Sequence, residues 1–410
     1  MNFLRIIIYL FIPFILSCSG GLPLANAPNT NDSRDQLAVL AFSTSLIRPQ
    51  ELFISYSKRA GRASIIDPIN KVETWSIQQP NYKFAVSHSN FEQVSLISNF
   101  SLFVHTSDAS KKFSLQFQSS HISYASDVLT FAFASIDGDK IHVIKSLGNG
   151  QWQEETFAIP WTVDLMSQHK LVSLYKNDGS ELIVFNPTEL AYWRLQSSDT
   201  NTHLSAVDSF CVGKSENSTL GAAYYLKQDN ENNILFVATD KGNIISINLT
   251  ENCSDIPNSP AISLGDTSPI YSINLLGNNE MIVSQENQQI SHLTYDINGI
   301  VNLQSEYDSH CKTPLNTLSL SNNNLLISCV KRDDGIINED SIFYQLIDVS
   351  TNQLINSFHP VDTFAGIGID SENLIMYRMR ESALGILETI NLQTSESTLT
   401  KGLYLDNLLE

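Results

Sequence analysis

The sequence predicts an all-β fold for most of its 410 residues, and three observations support this prediction. From Leu37 onward, short runs alternate between apolar and polar side chains, which is the period of a half-buried strand. Asn, Asp, Gly and Ser clusters separate these runs, as in turns between strands, and long amphipathic helical patterns are missing. The third observation is a repeated unit, described below.

The clearest hairpin is "LFVATDKGNIISINL" (Leu235 to Leu249), in which two apolar runs flank a turn. Glycine supplies the positive φ angle that tight hairpins require. This stretch and two others therefore predict hairpins with turns at Asp240-Lys241-Gly242, Asp137-Gly138 and Asp178-Gly179.

A second motif consists of an alternating run, an Asn-containing turn and an apolar run. It occurs in "IYSINLLGNNEMIVSQ", "LNTLSLSNNNLLISCV" and "FAGIGIDSENLIMYRM". The first apolar residue after the turn is Met281, Leu325 or Leu374, which gives a period of about 45 to 50 residues, as in propeller blades. Weaker matches lie near Leu52, Val94, Val128, Leu171 and Ile234.

These matches predict a β-propeller of about eight four-stranded blades over residues 37–410. Seven blades is the alternative count, because the middle of the chain is less regular, and an array of β-sandwiches is the structural rival. Stacking around an axis buries the faces that a single sheet leaves open. The small, apolar "FAGIGI" fits an inner strand, and "QLAVLAFS" (Gln36 to Ser43) is a candidate strand for the last blade, although that blade already has four strands.

The stretch "LFVATDKGNIISINL" resembles the repeats of quinoprotein-like propellers, which include an outer-membrane assembly lipoprotein. The Thr-Gly and tryptophan that usually follow are absent, since the next residues are "TENCSDIPNSP". The tryptophans all lie in the first half of the chain, at Trp75, Trp152, Trp161 and Trp193. The resemblance therefore implies the fold and not the cofactor.

The start of the chain predicts export and lipid anchoring. Arg5 precedes the apolar run Ile6 to Leu16, which has the length of a secretory signal and is too short for a transmembrane helix. "ILSC" resembles a bacterial lipobox, which implies cleavage after residue 17 and acylation of Cys18. The alternative is an ordinary signal peptide with a coincidental cysteine. Residues 18–36 are polar and form a predicted tether, and Ser19 favours the outer membrane.

The charge of the chain limits the partners that we expect. A net charge of -19 and a pI of about 4.8 argue against nucleic acid or anionic lipid as a partner. The tightest basic cluster is "SKRAGR", with Lys58, Arg59 and Arg62, and we expect it to form a solvated turn between two strands.

The cysteines after Cys18 are even in number, as expected of disulfides in an exported protein. Four cysteines allow three pairings. We favour pairs within one repeat and reject a metal role for His310 beside Cys311. The expected bonds are Cys211 with Cys253 and Cys311 with Cys329.

Catalytic motifs such as a nucleophile elbow, a P-loop or a HExxH helix are missing from the sequence. We expect the scattered histidines His105, His142 and His292 to be strand side chains. The sharpest metal candidate is a calcium loop in "RDDGIINED", because calcium prefers several oxygen ligands, although the spacing departs from the EF-hand and a solvated hairpin loop is the alternative. Its ligands would be Asp333, Asp334, Asn338, Glu339 and Asp340.

Two functional hypotheses remain open. The favoured one is a non-catalytic propeller without a cofactor, anchored in the bacterial envelope, that binds a protein or polymer. The alternative is an envelope enzyme, lactonase-like or quinoprotein-like, with a metal or cofactor at the axial mouth.

Overall fold

The structure is a computed structural model that describes residues 52–78, 220–249, 261–330 and 342–404 apart from short gaps, together with the backbone of further strands between residues 44 and 212. Every regular element within these residues is a β-strand. Among them there is no helix with the length and apolarity needed to cross a bilayer. The predicted all-β class is therefore confirmed.

The strands before residue 213 pair mainly with their neighbours in sequence. They are β1 (Thr44–Ile47), β2 (Phe53–Ser57), β3 (Arg62–Asp67), β4 (Val72–Gln78), β5 (Phe84–Ser87), β6 (Gln93–Ile97), β7 (Ser101–Thr106), β8 (Ser110–Ser114), β9 (His121–Ser126), β10 (Phe131–Asp137), β11 (Lys140–Gly148), β12 (Gln151–Ala158), β13 (Val172–Tyr175), β14 (Glu181–Asn186), β15 (Ala191–Ser197), β16 (Leu204–Ala206) and β17 (Cys211–Val212). Strands β2 to β4 form a three-stranded sheet, and β5 to β8 and β9 to β12 form four-stranded sheets. Strands β13 to β16 form another sheet, in which β17 also pairs with β15.

The later strands form four-stranded sheets in the same manner. They are β18 (Ala223–Asp229), β19 (Ile234–Thr239), β20 (Asn243–Asn248), β21 (Ala261–Ser263), β22 (Ile270–Gly277), β23 (Glu280–Gln285), β24 (Gln289–Tyr295), β25 (Val301–Asp308), β26 (Pro314–Ser319), β27 (Asn324–Val330), β28 (Ile342–Asp348), β29 (Gln353–Phe358), β30 (Phe364–Asp370), β31 (Ile375–Arg380), β32 (Ile386–Asn391) and β33 (Ser397–Lys401). The sheets are β18 to β21, β22 to β25, β26 to β29 and β30 to β33, each in sequence order. Strand β1 adds to the last of these, parallel to β30.

The sheets repeat local details as well as strand order. The first strands β18, β22 and β30 each carry a β-bulge near their start, at Ala223/Tyr225, Ile270/Ser272 and Phe364/Gly366. The predicted hairpin turn at Asp240 to Gly242 connects β19 and β20, with Gly242 at a φ angle of 73°. The other two predicted hairpins are also present, as β10 with β11 and β13 with β14.

Several turns share one construction that explains their sequence pattern. A carboxylate at the end of a strand accepts hydrogen bonds from the two backbone N–H groups at positions +2 and +3, and an Asn side chain at +3 donates to the same carboxylate. The residue at +4 then has a positive φ angle. The three closest examples are Asp67 with Asn70 and Lys71, Asp229 with Asn232 and Asn233, and Asp370 with Asn373 and Leu374. Leu374 is thus the last residue of its turn and precedes β31.

Burial decreases from the middle of each described sheet to its outer strand. All six residues of β19 are buried. By contrast, every residue of β25 and of β33 is exposed or half-buried. Apolar burial thus stabilises the middle strands, while the outer strands face solvent.

The chain divides into two compact units. One contains residues 36–116 and 318–410, and the other contains residues 117–317. In the first unit, Leu403 and Tyr404 pack with Phe53 and Ile66 of the first hairpin and with Met379 of the last sheet. That last sheet has four strands of its own and gains β1, which directly follows the predicted candidate strand Gln36 to Ser43.

Candidate binding surface

Most of the predicted site residues lie outside the part of the chain that the structure describes. Cys211 is the first residue of β17, but its side chain is not described. The lipidation and calcium predictions and one of the two cysteine pairings rest on residues outside this part, so they stay predictions. These residues are Cys18, Cys253, Asp333, Asp334, Asn338, Glu339 and Asp340.

The two remaining cysteines are oxidised. Cys311 and Cys329 are both disulfide-bonded, and their exposed fractions are 4% and 0%. His310 beside Cys311 adopts a φ angle of 57°, and its backbone N–H donates to Asp308. The proposed bond between Cys311 and Cys329 stays a prediction.

The prediction of a solvated basic turn is wrong for Arg62. This side chain begins β3 and is 2% exposed, because its guanidinium binds both carboxylate oxygens of Glu73 on β4. Nε donates to Glu73 over 2.8 Å, and the guanidinium lies 5.1 Å from the ring centroid of Tyr404. Lys58 and Arg59 lie outside the described residues. Pairing across the hairpin, which the local sequence does not reveal, removes Arg62 from solvent.

A second buried ion pair occurs in the last sheet. Arg378 on β31 is fully buried and binds Glu388 on β32 through Nε at 2.8 Å and through a second nitrogen. Arg380 donates to the other oxygen of Glu388 over 2.7 Å. Burial alone would raise the pKa of Glu388, but the hydrogen bonds and charges of Arg380 and Arg378 lower it. The ions satisfy one another, so this cluster is structural.

The histidines that the sequence placed on strands do lie on strands. His105, His142 and His292 all lie on strands, as expected, and the ring of His292 contacts Glu280 at 3.2 Å. Among the residues that the structure describes, no three His, Cys, Asp or Glu side chains come together in a way that could hold a metal ion.

Among the described residues, most of the exposed large apolar side chains belong to outer strands and the turns beside them. The turn from β24 to β25 and the start of β25 carry three: Ile297, Ile300 and Leu303, with exposed fractions of 69%, 48% and 44%. Asp296 holds the turn by accepting hydrogen bonds from the backbone of Asn298 at 2.9 Å and of Ile300 at 2.8 Å. This fixed turn presents Ile297 to solvent. We call the three aliphatic residues and β25 the β25 surface.

The β25 surface combines an apolar patch with an open strand edge. Strand β25 pairs with β24 on one side, and none of the described strands pairs with its other side. Its sequence, "VNLQSEYD", lacks the Lys and Pro residues that commonly protect sheet edges. Glu306 and Asp308 on the strand are exposed and acidic. An extended, apolar and basic segment would match these features.

Comparisons with known proteins give a fold and no family. No protein-family model matches the chain, and no curated protein does. The solved structure of dihydro-heme d1 dehydrogenase NirN in complex with DHE is similar, with a TM-score of 0.59 and 11% identity, over 92% of this chain and 76% of that chain.

Two further structures have TM-scores of 0.50. Sqt1 of Saccharomyces cerevisiae is 13% identical over 78% of this chain and 85% of its own, and a putative 6-phosphogluconolactonase of Bacteroides uniformis is 14% identical over 79% and 98%. At such low sequence identities, the structural similarity supports the fold and not a function. The structural neighbours are β-propeller-like, and together with the four-stranded antiparallel sheets they support a propeller body.

Proposed function

We propose that this protein is a non-catalytic binding module of the bacterial envelope, anchored by lipid on Cys18 and built as one propeller of about eight blades. Its partner is an envelope protein that adds an extended, apolar and basic segment to the β25 surface. The observation that carries this proposal is the exposure of Ile297, Ile300 and Leu303 beside an open strand edge. Strand addition supplies backbone hydrogen bonds, and alternate side chains supply specificity.

A photo-crosslinking experiment in the native cell tests the binding surface. A photoreactive amino acid at Leu303 is compared with the same group at Leu399, which is 46% exposed on the outer strand β33. We expect one discrete cross-linked protein from position 303 that is absent from position 399. The substitution Ile300→Asp should remove this product. Equal products from both positions, or none at position 303, would contradict the proposal.

Fractionation tests the anchor separately. The Cys18→Ser variant should leave the membrane fraction, because acyl chains contribute about 0.8 kcal/mol per buried methylene. Acyl mass on the N-terminal peptide of the unaltered protein would support the same conclusion. Unchanged membrane partition of Cys18→Ser, without acyl mass, would reject lipid anchoring while leaving the β25 surface open to its own test.

The enzyme hypothesis has a specific reason to be kept, since two similar folds carry enzyme descriptions. Metal analysis and an absorption spectrum of the purified protein distinguish the two functions. Stoichiometric metal, or a visible cofactor, would favour an envelope enzyme, and the calcium loop at Asp333 to Asp340 would then be the first place to mutate.

A further inference from the structure

The sheets β18 to β21 and β22 to β25 lie against each other within one compact unit. The rings of Phe236 and Tyr295 meet at 4.8 Å between centroids, and the Tyr295 hydroxyl donates to Asp229 over 2.8 Å. A side chain at Gly299 would collide with Ser246. These contacts identify the facing sides of the two sheets, which we call the β18 layer.

Tyr225 and Lys227 project into the β18 layer. Residues two apart on a strand share a face, so both lie on the side of Asp229, which contacts Tyr295. The strand register supports the same face, because Lys227 pairs with Phe236, whose ring contacts Tyr295. Successive positions on one face are about 6 to 7 Å apart along the strand, so the two side chains are neighbours on this face.

The Tyr225 hydroxyl has no hydrogen-bond partner in the described part of the protein, and the Lys227 ammonium has no counter-ion there. Tyr225 is 6% exposed, and its buried hydroxyl has no hydrogen-bond partner among the described residues. Lys227 is half-buried, and no described carboxylate forms an ion pair with it. Burial lowers the pKa of Lys227 and raises that of Tyr225. A buried polar group without a partner is unfavourable and rare.

The nearest acid on the same face is already occupied. One oxygen of Asp229 accepts the backbone N–H groups of Glu231 and Asn232, and the other accepts the Asn232 amide and the Tyr295 hydroxyl. Asp229 is therefore committed to its turn and to Tyr295, so Lys227 is left without a counter-ion in the described layer.

Other groups in the same layer are also donors without acceptors. Ser246 on β20 pairs with Phe236 on β19, so it shares the face of Phe236. Ser291 lies four residues before Tyr295 on β24, so it shares the face of Tyr295, and both serines face the layer. Both are 1% exposed, and their hydroxyls have no partner among the described residues. The layer thus holds three buried hydroxyl groups without partners in addition to the Lys227 ammonium, and each of these groups can donate a hydrogen bond.

We propose that Tyr225 and Lys227 form a binding site for the oxyanion of a small molecule, either a carboxylate or a phosphate. The ammonium supplies charge, and the phenol donates a directional hydrogen bond. The half-buried position of Lys227 gives the ligand access from solvent. This site is separate from the β25 surface and does not depend on the binding function proposed above.

Calorimetric titration of the full chain with acetate and with inorganic phosphate tests the site, with chloride at equal ionic strength as the reference. We expect saturable binding of at least one oxyanion, which identifies the ligand class. Lys227→Met and Tyr225→Phe should each weaken it about tenfold or more, since each removes a hydrogen bond to a charged group. The control is Lys241→Met, because Lys241 is an exposed lysine in the turn between β19 and β20 and should leave binding unchanged.

A second measurement covers variants that fail to fold. After reductive methylation with a ¹³C label, the lysine signal assigned to Lys227 should move when the oxyanion is added, while the Lys241 signal stays in place. Absence of saturable binding would overturn the proposal. Equal responses of Lys227→Met and Lys241→Met, or equal movement of both lysine signals, would show only a general salt effect and would overturn it as well.

Discussion

Arg378 and Lys227 both carry a cationic group on a strand that packs within a compact unit, but one is fully buried and the other half-buried, and their partners differ. Arg378 is fully buried, and Glu388 binds its guanidinium while Arg380 completes the cluster. Lys227 has no carboxylate partner among the described residues, and its neighbour Tyr225 has an unsatisfied hydroxyl. A paired charge supports the fold, whereas an unpaired one is unfavourable and therefore marks a candidate site.

The largest effect should come from breaking the paired cluster. Glu388→Gln keeps the shape of the side chain but leaves Arg378 buried without a counter-charge, which costs about 3 to 5 kcal/mol of unfolding free energy. Urea unfolding followed by circular dichroism measures the change. The control is Glu396→Gln, because Glu396 is exposed, and it should change stability by about 0.5 kcal/mol or less. A loss below about 1 kcal/mol for Glu388→Gln would show that the pair is not structural.

The other buried arginine extends this comparison, because Arg62 combines an ion pair with a ring contact. Gly385 has a φ angle of 65°, and a Cβ there would lie 2.7 Å from the ring of Tyr404, which faces Arg62. We expect Gly385→Ala to cost about 2 to 4 kcal/mol, from backbone strain plus the displaced ring.

The matched control for this substitution is Gly402→Ala. Gly402 has a φ angle of 82° and open space around the added Cβ, so only the strain of about 1 to 2 kcal/mol applies. Thermal unfolding of both variants gives the difference. If the two variants lost the same stability, the position of Tyr404 over Arg62 would not matter.

The fold class followed from local sequence because strand period and turn chemistry are local properties. The turn at Asp240 to Gly242 needed only a glycine with a positive φ angle between two alternating runs. The role of Arg62 was not local, because its partner Glu73 lies eleven residues away on the next strand. The sequence signal that could have indicated this pairing was the turn at Asp67, followed by the acidic Glu73 on the next strand.

The candidate sites were harder to predict for a similar reason. Alternation identifies a strand but does not tell whether it is a first strand or an outer one, so the exposure of Leu303 and the burial of Tyr225 were not visible. The unsatisfied hydroxyls depend on which sheet faces which. That information comes from long-range packing, such as the contact of Phe236 with Tyr295.

Acid should weaken the paired cluster in a defined pH range. The pKa of Glu388 is lowered in the folded protein, so its stabilisation is fully present above the ordinary value of about 4.3. It is lost as pH falls through the lower folded value, because the native carboxylate must then be protonated. We expect the stability gap between the unaltered protein and Glu388→Gln to shrink below about pH 4. A gap that stayed constant from pH 7 to pH 3 would contradict this assignment.

The smallest effect should come from the unpaired cation. Lys227→Met removes a half-buried charge without a counter-ion and keeps an apolar side chain of similar length, so we expect stability at neutral pH to stay within about 1 kcal/mol or to rise. The pKa of Lys227 is lowered, so the folded state binds fewer protons than the unfolded chain between that value and about 10.4, and the unaltered protein gains stability relative to Lys227→Met as pH rises through this range. Urea unfolding at several pH values, with Lys241→Met alongside, measures both effects. A loss of more than about 2 kcal/mol would mean that Lys227 has a structural partner, as Arg378 does, and the contrast between the two cations would disappear.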